Sequence, residues 1–90
     1  MKIPVKPPRQ KAMVDHDAVR QRVTFIRERL GMTKVAFADS IGITKSNYGQ
    51  VEKGNRKLSV DQIYNIFIVY GVPMEYVLAG QEANLPEKFR

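Results

Sequence analysis

Five of the six glycines, at positions 31, 42, 54, 71 and 80, fall where an apolar repeat of helical period breaks off. That punctuation leaves room only for short helices. Short helices are marginal alone, so the chain can build a core only by packing several together. Val19, Val23, Ile26 and Leu30 follow one another at helical spacing, the single buried stripe of an amphipathic helix over 18–30. Phe25 lies off that stripe and is expected to cover a second seam of the core, while Arg20, Arg22 and Arg29 read as a solvated face. Thr33 suits the cap of a second helix, whose inner face is Phe37, Ala38 and Ile41. Gly42 closes it, because glycine enters the left-handed conformation past a helix end without a Cβ penalty. Thr44 then caps a third helix, Lys45 to Lys53, with Tyr48 and Val51 inward. Ser59 and Gln62 form a capping box that opens a fourth over 60–70. Pro73 suits the first turn of a fifth, which carries Met74, Tyr76, Val77 and Leu78. The expected fold is all-α, a compact five-helix bundle.

Outside those helices the composition changes. Residues 1–14 hold three prolines and the cations Lys2, Lys6, Arg9 and Lys11, which reads as an extended arm. Pro4 and Pro7 make a formal P-x-x-P, for which a solvated tail is the plainer account. Contact of the arm's cations with a nucleic-acid backbone stands between those two readings. The folded domain is expected over 15–80. Residues 81–90 read as a polar tail, with Leu85 and Phe89 able to pack back on the body.

Charge narrows the partner. The net charge is +6 and the isoelectric point about 9.8. The excess is uneven: residues 1–60 hold 13 basic against 5 acidic residues, and residues 61–90 hold 2 against 4. A polyanion is the partner such a distribution favours. Cysteine is absent and no apolar run approaches a membrane span, so a reducing, cytoplasmic setting without membrane contact is expected. Asp15, His16 and Asp17 are the one cluster of histidine and carboxylates, and helix capping accounts for the acids. No nucleophile–base pairing, metal-ligand spacing or phosphate-cradling glycine loop is present, so neither an enzyme, a metal nor a cofactor is expected.

The stretch Thr33–Gly54 carries the chemistry. With Tyr48 and Val51 inward, the third helix turns Lys45, Ser46, Asn47, Gly49 and Gln50 outward, a set suited to the edges of DNA bases. Two helices joined by a tight turn, the second with such a face, make a helix-turn-helix with a recognition helix. Arg56 and Lys57 follow it at once, in a turn with Asn55, and are read as a phosphate clamp. Gly49 inside the helix costs about 1 kcal/mol relative to alanine. Close approach to DNA, close approach to another helix, and simple tolerance all remain open for it. The fourth helix is apolar most of the way round. Ile63, Ile66, Phe67 and Tyr70 would form its buried face, which leaves Tyr64, Ile68 and Val69 for another chain.

Taken together, I-R-x-x-L-G-M-T at 26–33, x-x-F-A-x-x-I-G-I-T at 35–44, V-E-K-G at 51–54, L-S-V-D-Q-I at 58–63 and G-V-P-M-E-Y-V-L-A-G at 71–80 resemble the phage repressor and Cro-like family, the xenobiotic-response-element regulators. The resemblance implies base contacts at Lys45, Ser46, Asn47 and Gln50, and phosphate contacts at Thr33, Lys34, Thr44, Asn55, Arg56 and Lys57. It implies an ion pair between Arg27 and Glu52. Lys34 stands where the family usually has glutamine, Tyr48 where an aliphatic residue is usual, and Phe67 where alanine is. The function implied is transcriptional regulation, repression over activation, by a homodimer on an inverted repeat of double-stranded DNA. Tyr64, Ile68, Val69, Met74, Tyr76 and Val77 are the expected dimer surface. The competing class is a protein-interaction module, such as an antitoxin that holds a second protein on the same apolar face.

Overall fold

A computed structural model describes residues 12–90, along which five α-helices follow one another. They are α1 (His16–Arg29), α2 (Lys34–Ser40), α3 (Lys45–Glu52), α4 (Val60–Tyr70) and α5 (Met74–Ala79), followed by a 3-10 turn at Glu87–Phe89. The expected arm falls outside the described residues except for 12–14, which belong to no helix. α1 begins at His16, ahead of its apolar stripe, because Asp15 accepts the backbone N–H of Ala18 at 3.1 Å. Thr33 and Thr44 cap α2 and α3 in the same way. At α4 both halves of the capping box are made, Gln62 N–H to Ser59 at 3.1 Å and Ser59 N–H to Gln62 at 2.9 Å. Each cap is worth about 1 kcal/mol. They matter here because helices of six to eleven residues have little cooperativity of their own.

The core runs between all five helices. Val19, Val23 and Ile26 of α1 meet Phe37, Ala38, Ile41, Tyr48, Val51, Ile63 and Ile66, while Leu30 is partly buried against them. Phe37 lies at the centre. Its ring meets Tyr48 edge-on and Tyr70 face to face, both at 5.5 Å between centroids. The two tyrosines carry polar heads and each finds a partner: Tyr48 donates to Glu52, and Tyr70 is paired with Ser40 and donates to Met32 Sδ at 3.2 Å. Burial of an aromatic with its hydroxyl satisfied avoids the cost of an unpaired polar group. Gly42 takes φ +76° in the turn between α2 and α3, as expected of that position.

Three expectations are corrected, on Phe25, Phe67 and the α1 arginines. Phe25 covers no seam of the core; it is 38% exposed beneath the Arg29 guanidinium, 5.7 Å from the ring centroid. Phe67 is exposed as well, because α4 is covered along a stripe only wide enough for Ile63, Ile66 and part of Tyr70. Within residues 81–90, Leu85 and Phe89 do pack back on the body: both are buried, and the 3-10 turn packs on α1. The α1 arginines are not an idle solvated face. Arg20 donates to the Glu52 carbonyl at the end of α3, Arg22 to the Val77 carbonyl of α5, and Arg29 to the carbonyls of Lys88 and Arg90. Each reaches backbone acceptors far away in the chain, which periodicity cannot register.

Candidate nucleic-acid interface

α3 is a short helix with two unlike sides. Tyr48 and Val51 lock its inner side into the core with essentially no exposed surface. Lys45 and Ser46 are exposed, and Asn47, Gly49 and Gln50 are half-exposed. Apart from its chain neighbours and the backbone of its own helix, no atom lies within 4 Å of where a Cβ on Gly49 would stand, so no packing contact inside the folded domain requires glycine there. Close packing against another helix of the same chain is thereby removed from its open readings. Gln50 is held from behind: Asn55 Nδ2 donates to its Oε1 at 3.1 Å, and the Asn55 backbone N–H to its carbonyl at 2.9 Å. The Gln50 amide keeps both N–H donors and an acceptor lone pair. Asn55, expected at a phosphate, thus also orients the residue expected at a base. The Thr33 and Thr44 hydroxyls accept from Ala36 and Asn47 N–H groups as caps, and their own protons remain free to donate.

Behind α3 lies a polar network. Arg27 Nε donates to Glu52 Oε2 at 2.7 Å and Arg27 Nη2 to Oε1 at 3.3 Å, a two-point fork. Arg27 Nη1 donates to the Met32 carbonyl at 3.0 Å, just past the end of α1. The structure therefore brings together the expected pair and ties it to the backbone. Tyr48, one helical turn before Glu52, donates its hydroxyl to Oε2. Lys34 Nζ stands 3.9 Å from Oε1, at the outer limit of pairing. Burial pushes the Glu52 carboxyl upward, but the hydrogen bonds from Arg27 and Tyr48 and the neighbouring positive charges outweigh it and hold it below the ordinary carboxylate range. The bond to Glu52 raises Arg27 above its usual value. Burial, with Glu52 adding to it, pushes the Tyr48 phenol far above its usual value.

Beyond the end of α3 the turn at 54–57 and the start of α1 enclose a cleft. His16, Asp17, Arg20, Gly54, Asn55, Arg56 and Lys57 line it. Arg20 is tied in place on both sides of it. Asp17 receives its Nε at 3.1 Å and the Glu52 carbonyl its Nη1 at 3.3 Å, so this cation also sits at the negative end of the α3 dipole. Arg56 and Lys57 are exposed, and among the described residues neither has a salt-bridge partner. Sequence reasoning found Arg56 and Lys57 but missed Arg20 and His16 beside them. Nothing local to residues 16–20 signals a neighbour at 54–57.

The expected dimer surface divides. Tyr64, Ile68 and Val69 are at least half exposed. Val60, Tyr64, Phe67 and Ile68 fall at helical spacing along one side of α4, with the Tyr64 and Phe67 rings 6.4 Å apart. Val69 lies on another side. Tyr76 and Val77 are core residues, 7% and 0% exposed, and are corrected: α5 turns them onto α1 and α4, leaving no surface for a second chain. Met74 is partly buried against the same core. Among the described residues no helix is long and apolar enough to cross a membrane, and no group of three or more His, Asp or Glu side chains is placed to hold a metal ion.

Comparison with known proteins agrees with this geometry. The helix-turn-helix family profile matches residues 25–77, from the last turns of α1 into α5. The chain is similar to the cryptic phage CTXphi transcriptional repressor RstR of Vibrio cholerae, 25% identical over 69 residues, covering 77% of this chain and 62% of that protein. It is also similar to the uncharacterized HTH-type transcriptional regulator YobD of Bacillus subtilis strain 168, 33% identical over 58 residues, covering 64% of this chain and 52% of that protein. The chain thus spans less than two thirds of the length of either relative. No solved structure gives a significant match.

Proposed function

The chain belongs to the helix-turn-helix family of phage repressor and Cro-like regulators, and on that premise we propose that it binds double-stranded DNA through α3 and represses transcription as a homodimer on an inverted repeat. One observation carries the proposal. The helix whose inner side is locked into the core presents only polar and small residues outward, and it is bordered by Arg56 and Lys57, which have no salt-bridge partner among the described residues. Lys45 supplies donors for guanine O6 and N7, and Gln50, steadied by Asn55, supplies the donor and acceptor that adenine N6 and N7 require. Ser46 and Asn47 complete the base-facing set. Open space around Gly49 suits close approach of the helix to the groove. Lys34, Arg56 and Lys57 take phosphates, with the free protons of Thr33 and Thr44 and the second amide proton of Asn55 beside them.

The exposed side of α4, Tyr64 with Ile68 and the newly placed Val60 and Phe67, is the surface assigned to the second copy, with Met74 at its margin and Val69 outside it. A dimer that reads an inverted repeat needs its two recognition helices on half-sites about 34 Å apart. The same apolar stripe supports the second reading, an antitoxin-like module that holds a different protein.

Bound-fragment sequencing from a genomic pool tests the proposal. Recovery of an inverted repeat with half-sites one helical turn apart is the expected result. Absence of any retained fragment at low salt sinks DNA binding. Single half-sites bound by a monomer sink the dimer alone and leave α4 to another partner.

A further inference from the structure

Two cations, Arg27 and Lys34, stand at the one Glu52 carboxylate. Glu52 carries one negative charge, and Arg27 neutralises it through two hydrogen bonds. Tyr48 then adds an uncharged donor to Oε2, the oxygen that already receives Arg27 Nε. Both contacts draw the carboxylate toward the interior, where Arg27 and Glu52 side chains are only 14% and 9% exposed. Lys34 is different. It is more than half exposed, sits in the first turn of α2, and reaches only Oε1 at 3.9 Å. An ion pair so long and so exposed is worth little.

We propose that Tyr48 is a positioning residue: its hydroxyl holds the Glu52 carboxylate on Arg27 and so leaves the Lys34 ammonium available for a DNA phosphate. The inference rests on the DNA-binding reading above and goes beyond it in naming what controls one of its contacts. A Glu52 short of a donor turns to the nearest unsatisfied one, and in this network that is Lys34. An aliphatic side chain at position 48 has no hydroxyl to prevent this. The ring places its hydroxyl by two independent constraints, edge contact with Phe37 at 5.5 Å and its position one helical turn before Glu52. No other donor among the described residues makes a hydrogen bond to the Glu52 carboxylate.

Tyr48→Phe is the test, since it keeps the buried ring and deletes only the hydroxyl. It is combined with Lys34→Met, and the four proteins are titrated with bound DNA across salt concentrations. Each phosphate contact contributes about 0.9 to the slope of log affinity on log salt. In the native background Lys34→Met lowers that slope by about 0.9 for each subunit of the dimer, about 1.8 in all, and weakens binding by up to about five-fold per subunit. Tyr48→Phe alone produces the same drop, and adding Lys34→Met to it produces no further one. A merely structural role for Tyr48 predicts weaker binding with an unchanged slope. An undiminished effect of Lys34→Met in the Tyr48→Phe protein likewise overturns the inference.

A second measurement needs no DNA. In the free protein Lys34→Met leaves the urea midpoint unchanged in the native background and lowers it in the Tyr48→Phe background, where Lys34 has become a partner of Glu52. Equal effects in both backgrounds refute the proposal. If the native chain retains no DNA, the DNA-binding reading falls, and the midpoints still decide whether Tyr48 governs the partner of Lys34.

Discussion

Replacing Arg27 by methionine keeps most of the buried stem and removes the charge that Glu52 answers. Breaking a fully buried ion pair costs about 3–5 kcal/mol, whereas an exposed pair contributes about 0–1. The Arg27–Glu52 pair stands nearer the first limit, with side chains 14% and 9% exposed. Tyr48 and Lys34 remain near the stranded carboxylate, and the Met32 carbonyl loses its donor. The expected cost of Arg27→Met is therefore about 2–3 kcal/mol at neutral pH. In a domain of this size that lowers the melting temperature by roughly 10–20 °C.

Acid should erase much of the difference. Glu52 is held below its ordinary value in the folded chain, so its stabilising contribution is full above about 4.5, the unperturbed value, and is lost as pH falls from there through the folded value. Without Arg27 the folded carboxyl rises, and less remains to be lost. Urea midpoints for the native chain, Arg27→Met, Glu52→Gln and the double variant, measured from neutral to acid pH, form the assay. The expected coupling is about 1–2 kcal/mol at neutral pH. Additivity within about 0.5 kcal/mol, or a penalty for Arg27→Met that persists unchanged in acid, would show that the pair is not what holds α1 to α3.

The remaining outcomes concern DNA, assembly and the chain's last residues. Gln50→Ala relaxes base preference in a bound-fragment selection, whereas Arg56→Ala weakens all sequences alike and lowers the salt slope by about 1 for each bound subunit; equal losses of specificity from both refute the division of roles. Ile68→Asp yields a monomer by sedimentation with an unchanged helical spectrum, and a dimer that survives it places the interface elsewhere. Phe89→Ala costs about 3–5 kcal/mol in urea denaturation, because its ring is buried in the core; a loss under about 0.5 kcal/mol contradicts the docking of residues 85–89 on α1.

Helix ends were legible because caps and stops act within a few residues. Asp15, Thr33, Thr44 and Ser59 each bind an N–H three residues on, and that range is visible in the sequence. The inner faces of α2 and α3 were legible for the same reason, since two buried positions on a short helix settle its rotation. Phe67 shows where such reasoning stops. An apolar residue at helical spacing says that a face can be buried, and the neighbours decide whether it is.

By itself, then, the sequence determined the five α-helices to within a residue or two at their ends, the turn at Gly42 and the polar outer side of α3, because hydrogen bonding and periodicity within a helix are local. Tertiary structure alone decided that the α1 arginines tie distant backbone carbonyls, that Leu85 and Phe89 complete the core, and that Tyr76 and Val77 are closed to any partner. It also decided that Tyr48 and Lys34 converge on one carboxylate. Those outcomes depend on which surfaces meet across tens of residues, and the energy that selects them exists only once the helices are packed.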